Sequence, residues 1–537
     1  MTVDPPSATD HQVIRWVRAV ALLLAVFGCW IRLDGLGSKV VWWDETHTGR
    51  AISGSFWGEI VDDVFDGEVH TRDEILVHQF PREDRSVVDT VYVLVWEDPR
   101  QTPLYFVLAR AWVKMLGSSE VILRGFSAFL GILSFPLAFL LGRELFGRSL
   151  EGWIAVALIA VSPLHFVYAQ EARQYILWVD LVILSSWLLL VASRRTRERD
   201  RPAWLWWILY TGALGLTLIT HLLTVFIMAA HFLFAVISEK FRLSSVVKLT
   251  AAALVLVSLL FSRWAWSIFL DSRDRPWIVW AATDLPFAEW LRRVAGSIAR
   301  SFVDLPLGIV DAGVSPRGLV FLVLLFALAS VIVLVRSAPR RARLFVILLG
   351  LSCSLPMILV DLSSGGWRAA VSRYHLPTTV ALELCAAFAI AHLLINKQRS
   401  VRLGAAVTAA LVLGCGVYSS IFYRQSETWW NKYSASELLA AVKVIDRHPS
   451  PLVVASKSDW EGMFTSLALA HAVSDQTGIL AVVEPEMPVI PSEYQDVFVW
   501  SVSEDMLNRF AESGWGLETL EVPDLHRLAR PKLEGDS

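Results

Sequence analysis

Two adjacent carboxylates, Asp44 and Glu45, follow a long apolar run at residues 13–36 almost at once. A carboxylate can act as a general base, taking the proton of a hydroxyl in the transition state. Their neighbours Trp42 and Trp43 are of the type enriched at membrane–water interfaces. The pair is therefore expected at the rim of a membrane, beside aromatic rings. Arg124, Arg173 and Arg373 supply the complementary chemistry, because a guanidinium group matches phosphate oxygens bidentately. Glu171, Tyr175, His221 and Tyr374 lie close to these arginines in sequence or at the ends of apolar runs. Taken singly, an Asp-Glu pair is usually a solvated loop, and each of the others could be a snorkelling or capping side chain. The case for a site rests on whether the chain delivers all of them to one side of a membrane.

The elements that would do so are transmembrane helices. The chain has 537 residues, 55% hydrophobic and only 18% charged, with a mean hydropathy of +0.51. Soluble domains carry about 25% charged residues, so a soluble enzyme is excluded and a polytopic helical membrane protein is expected. The net charge of -3 points to no nucleic-acid partner. The 24 Trp suit interface belts and sugar-stacking surfaces alike. Cys29, Cys353, Cys385 and Cys415 all fall in apolar runs and read as small buried hydrophobes, without a disulfide or zinc framework. Arg15 and Arg18 flank a first run too long for a signal-peptide core, so that span is expected to be retained.

Further apolar runs occupy residues 121–145, 153–168, 175–192, 203–219, 222–237, 247–270, 318–335, 344–360, 376–395 and 403–423. About 20 apolar residues suffice to cross a bilayer. The shorter run 103–116 is interrupted by Arg110 and Lys114 and reads as an amphipathic helix lying in the interface. With the N-terminus inside, the short inner loops contain Arg143 and Arg148; Arg194, Arg195, Arg197, Arg199 and Arg201; Lys240 and Arg242; Arg336, Arg340, Arg341 and Arg343; and Lys397, Arg399 and Arg402. Every one is basic, as the positive-inside rule requires. The expected architecture is about eleven transmembrane helices with interfacial helices in a long first outer loop, 37–120. A middle outer loop, 271–317, is expected to carry interfacial helices near 287–302. All the polar residues named above then fall on the outer side, where ionisable groups at membrane depth are costly and usually functional.

Two domains are expected: 1–423, the transmembrane part, and 424–537, a small soluble α/β domain outside the cytoplasm. Its strands are expected at 452–455, 479–483, 497–502 and 517–522, with a helix capped by Ser503 and ended by Gly514. It shows no catalytic motif and is expected to help choose the acceptor.

Several segments also resemble known enzymes. Trp43-Asp44-Glu45-Thr46-His47-Thr48-Gly49 is similar to the Asp-Glu-x-His-x-Gly motif of protein O-mannosyltransferases and to the Asp-Glu of lipid A aminoarabinose transferases. Thr102-Pro103-Leu104-Tyr105, Leu123-Arg124-Gly125-Phe126-Ser127-Ala128, Gln170-Glu171-Ala172-Arg173-Gln174-Tyr175 and Ser372-Arg373-Tyr374-His375-Leu376-Pro377 resemble further segments of that superfamily, in order. The resemblance, over roughly residues 13–395, is to the GT-C class of membrane glycosyltransferases, with their GT-C fold.

The resemblance implies a polyprenyl-phosphate sugar donor and inversion at the anomeric carbon. It implies that Asp44 is the base and that Glu45 orients Asp44, an acceptor or a metal. Arg173 would neutralise the departing phosphate, with Arg124 and Arg373 as the other candidates. Trp43, His47, Glu171, Tyr175, His221 and Tyr374 would line the substrate. Aminoarabinose transferases carry a Glu-Lys pair before the Pro-rich segment. Here Arg100 could stand for the Lys, and Glu97 or Asp98 for the Glu, which leaves a divalent metal open as a cofactor. The spacing of His47, His70 and His78 is no metal-ligand signature. Expected partners are the lipid-linked donor, membrane lipids and an acceptor glycan, lipid or protein, in a bacterial inner membrane. The alternatives are a polysaccharide polymerase or ligase, and a lipid or sugar transporter without catalysis. The absence of a repeat weighs against the transporter.

Overall fold

Inside a bilayer the backbone can satisfy its polar groups only within a helix or a closed barrel, and all eleven apolar runs form helices. The computed structural model describes residues 8–199, 202–274, 281–305, 317–432, 435–457 and 460–530. Arg201 of the second basic loop, and residues 275–280 and 306–316 of the middle loop, lie outside the described residues. Eight described helices are long and apolar enough to cross a membrane: Gln12–Leu33, Glu120–Phe146, Tyr175–Arg197, Ser245–Ser272, Arg317–Ser337, Arg340–Ser364, Ser372–Leu394 and Arg399–Gln425. The bent pair Ser149–Val161 and Pro163–Ala169 passes as a ninth when taken together. Ala203–Leu218 and Thr224–Ser238 are shorter apolar helices of 16 and 15 residues. The chain is a multi-pass integral membrane protein.

The run 153–168 is not one straight helix. It bends by 58° between Val161 and Pro163. Pro163 has no N–H to return to the carbonyl of Ile159, and Ser162 before it is extended (φ -64, ψ 123). Arg32, fully buried on the first span, fills the gap. Its guanidinium donates to the carbonyls of Ala160 at 2.8 Å and Ile159 at 2.9 Å.

The chain divides into two compact units. One is Met1–Leu36, Pro99–Tyr105 and Arg124–Gln425; the other is Gly37–Asp98, Phe106–Leu123 and Ser426–Ser537. The second is built on a six-stranded sheet of strands β1 (Asp66–His70), β2 (Leu452–Lys457), β3 (Gly478–Val483), β4 (Val497–Trp500), β5 (Gly516–Thr519) and β6 (Leu525–Ala529), in the order β1-β3-β2-β4-β6-β5. β2 pairs in parallel with β3 and β4, and the remaining pairs are antiparallel. The side-chain period of two sorts the central strands: Val453 and Phe498 face a core with Trp57, Ile75, Met463 and Phe464, whereas Leu452, Val454 and Val497 face Met506 and Phe510.

The sheet differs from the expectation at two places. β6 was not among the expected strands, since Leu525-His526-Arg527-Leu528-Ala529 carries two polar residues in five. β1 comes from the segment after the first span and pairs with β3, some 400 residues distant. The Ser503 cap is present, its hydroxyl accepting from Met506 N–H at 3.2 Å, and that helix runs Glu504–Glu512. The run 103–116 forms the helix Leu104–Leu116 and is not among the spans. Its Arg110 is buried and donates to the carbonyls of Ile52, Arg82 and Arg85.

Candidate active site

The Asp-Glu pair opens a short helix, Trp43–Ser53. Two acidic residues in the first turn and Arg50 in the last complement the helix dipole. Gly54 ends it at φ +80, a left-handed position that glycine adopts without strain, with its N–H on the Arg50 carbonyl at 3.1 Å. Gly49 sits in close contact with Gln79: a Cβ there would stand 2.2 Å from its Oε1, which would have to move, and 3.0 Å from its carbonyl oxygen. The glycine that closes the motif thus lets the helix pack against the turn Val77–Gln79.

Each polar side chain of this helix has a distinct environment. Glu45 is 3% exposed and pairs with Lys432 at 3.3 Å. The Lys432 ammonium also lies 5.4 Å from the Trp42 ring centroid. Arg50 is bonded to Glu97 and sits 3.9 Å from the Trp57 ring centroid, while Glu97 accepts from Trp57 N–H at 2.9 Å. Trp43 and His47, one turn apart, both contact Phe464, the His47 ring at 3.5 Å between centroids. Asp44 is half-buried. Lys432 was not legible as a partner of the pair. Its only signal is its place after Trp429 and Trp430, just beyond the last span.

The arginines belong to the first unit. Glu171 and Arg173 are buried in the short turn before Tyr175, with Arg173 N–H on the Glu171 carbonyl at 2.7 Å. Arg173 and Arg373 lie 5.9 and 5.8 Å from the Tyr175 ring centroid, so two guanidinium groups share one tyrosine. Arg373 is also 5.7 Å from Tyr374. Gln101, unflagged in the sequence, accepts from Arg173 at 3.3 Å and from Gln174 at 2.7 Å. His221 stacks on Trp178 at 4.2 Å and 5.9 Å from Tyr175. Burial first, then the charges of Arg173 and Arg373, push the pKa of His221 down to about 3. It is therefore neutral at physiological pH, and its Nδ1 accepts from Leu223 N–H at 3.2 Å. The resulting group is cationic, aromatic and largely withdrawn from water, which suits an anion.

Two further arginines of this unit are also engaged. Arg124 is buried and donates to the Leu36 carbonyl at 2.9 Å, where the first span ends. Arg100 pairs with Asp271 at 2.9 Å. Among the described residues no group of three or more His, Cys, Asp or Glu side chains is placed to hold a metal ion. Glu97 is held by Arg50 and the Trp57 N–H.

The architecture defines a class: it has the fold of the GT-C membrane glycosyltransferases. It superposes on ArnT from Cupriavidus metallidurans, in a structure bound to undecaprenyl phosphate, with a TM-score of 0.53 at 10% identity, over 94% of this chain and 97% of that one. The apo form of the same protein gives a TM-score of 0.52 at 10% identity, over the same shares of each chain, 94% and 97%. The archaeal oligosaccharyltransferase AglB from Archaeoglobus fulgidus, in complex with an inhibitory peptide and a dolichol-phosphate, gives 0.50 at 14% identity, over 96% of this chain and 74% of that one. In sequence, the family model for dolichyl-phosphate-mannose-protein mannosyltransferase matches residues 100–266. No curated protein matches the chain in sequence.

Proposed function

We propose that the protein is an inverting glycosyltransferase that moves a sugar from a polyprenyl-phosphate donor to an acceptor hydroxyl at the outer face of a membrane. The observation that carries this reading is the carboxylate pair on a short helix directly after the first span, with the charge of Glu45 already answered by Lys432. The fold shared with proteins solved with undecaprenyl phosphate and with a dolichol-phosphate supports the donor class.

In this mechanism the Asp44 carboxylate takes the proton of the acceptor O–H as its oxygen attacks the anomeric carbon. The bond from that carbon to the phosphate oxygen breaks, and its electron pair leaves on the polyprenyl phosphate. Arg173 stabilises the charge that grows there, and Arg373 supports it. Electrostatic stabilisation of this kind is often the largest contribution to catalysis. The test is to extract lipids from membranes containing the protein after incubation with a polyprenyl-phosphate sugar and an acceptor. Transfer yields free polyprenyl phosphate in step with glycosylated acceptor. A transporter leaves the lipid-linked sugar intact.

The same reading places residues 424–537 outside the cytoplasm of a bacterial inner membrane. Single cysteines introduced near Asp44, Glu171 and Glu504 are then expected to react with an impermeant reagent added from outside. Those near Arg197 and Arg341 are expected to react only after permeabilisation. Labelling of the Arg197 loop from outside would overturn this orientation.

A further inference from the structure

We infer that Lys432 is a positioning residue of the transfer reaction, acting only through Glu45; this rests on the reading of Asp44 as the base. Lys432 follows the last membrane helix, Arg399–Gln425, and enters the C-terminal part of the sheet unit. Its side chain is fully enclosed, and its ammonium meets Glu45 at 3.3 Å inside the same unit. A charged pair taken this far out of water is weak evidence for stability, because desolvation offsets most of the attraction. Its retention next to Asp44 calls for another reason.

The pair sits at the first turn of the Trp43–Ser53 helix, which Lys432 meets through the Glu45 carboxylate. The ammonium also lies over Trp42, the residue before the helix, whose carbonyl accepts from Glu45 N–H at 2.8 Å. Glu45 and Trp42, the residues on either side of Trp43 and Asp44, thus both lie against one side chain, while the Thr46 hydroxyl donates to the Trp43 carbonyl at 2.7 Å. Arg50, in the last turn of this helix, pairs with Glu97. On the reading of Asp44 as the base, Glu45 held by Lys432 is its orienting neighbour. The segment after the last span thus contributes a residue to the turn that carries Asp44.

The test compares Lys432→Met, Glu45→Gln and the double variant, each measured for transfer per molecule of folded protein in detergent. Because Lys432 acts through Glu45, all three are expected to show a similar fall in kcat, on the order of tenfold, with the donor KM unchanged. The double variant leaves no unpaired buried charge. If Lys432→Met fails to fold, the comparison between the double variant and Glu45→Gln still decides, with equal kcat expected. Losses that multiply to about a hundredfold in the double variant would show Lys432 acting independently of Glu45 and overturn the inference. Wild-type kcat in Lys432→Met, or a loss that vanishes once folded protein is counted, would overturn it as well. Asp44→Asn, run alongside, separates the two levels. Its inactivity with an unaffected Lys432→Met sinks the positioning role alone, whereas its full activity sinks the base assignment beneath it.

Discussion

Asp44→Asn is expected to abolish transfer, with kcat lowered on the order of 10²-fold or more, and to leave binding of the lipid donor nearly intact. The amide keeps the shape of the carboxylate and removes its basicity. The helix that carries it is secured independently, by Gly54 at its end, by Gly49 against Gln79 and by the Arg50–Glu97 pair. The fall is therefore chemical and not structural. Steady-state kinetics with a purified lipid-linked sugar, together with a donor-binding titration, check it. Glu45→Gln is expected to be milder, since in the proposed mechanism Glu45 orients and Asp44 takes the proton. The reverse ranking would make Glu45 the base.

Arg173 carries the second large effect. Arg173→Ala is expected to lower kcat by about 10²–10³-fold, the range found when one donor to a developing anion is removed, and to weaken donor binding too. Arg173→Lys recovers only part, since a point charge does not reproduce the planar fork that spans two phosphate oxygens. The kinetics of both variants against the lipid donor measure this. Unchanged values in both would move the role to Arg373, which shares the Tyr175 ring. Arg124, which also donates to the Leu36 carbonyl, is the other candidate.

What the sequence made legible divides by the range of the forces involved. Every apolar run became a helix, because hydropathy over some 20 residues is a local property that no tertiary contact has to supply. The Ser503 cap was legible for the same reason. The bend at Pro163 has a local signal as well, in Ser162-Pro163, although the run around it is uniformly apolar. Pairings made over long distances left no such trace. β1 is the polar stretch Asp66-Gly67-Glu68-Val69-His70, whose apolar partners lie on β3, and an edge strand of that kind does not alternate strongly enough to read.

The candidate site follows the same rule. Asp44, Arg173, Arg373, Tyr175 and His221 could be named because ionisable and aromatic residues are rare at the ends of apolar runs. Their engagements could not. Lys432 on Glu45, Asp271 on Arg100 and Gln101 on Arg173 each join residues far apart in the chain. A salt bridge depends on where two charges meet in space, and a single chain of letters records only that both charges exist.

The most direct measurement of the central claim follows one turnover to its products. Purified protein in lipid nanodiscs is mixed with an isotopically labelled polyprenyl-phosphate sugar and a hydroxyl-bearing acceptor. The anomeric configuration of the product is read by NMR, and the lipid by mass. One free polyprenyl phosphate for each glycosylated acceptor, inverted configuration at the anomeric carbon, and loss of both products in Asp44→Asn are expected. Retained configuration, or equal yields from Asp44→Asn and the wild type, would contradict the proposed mechanism.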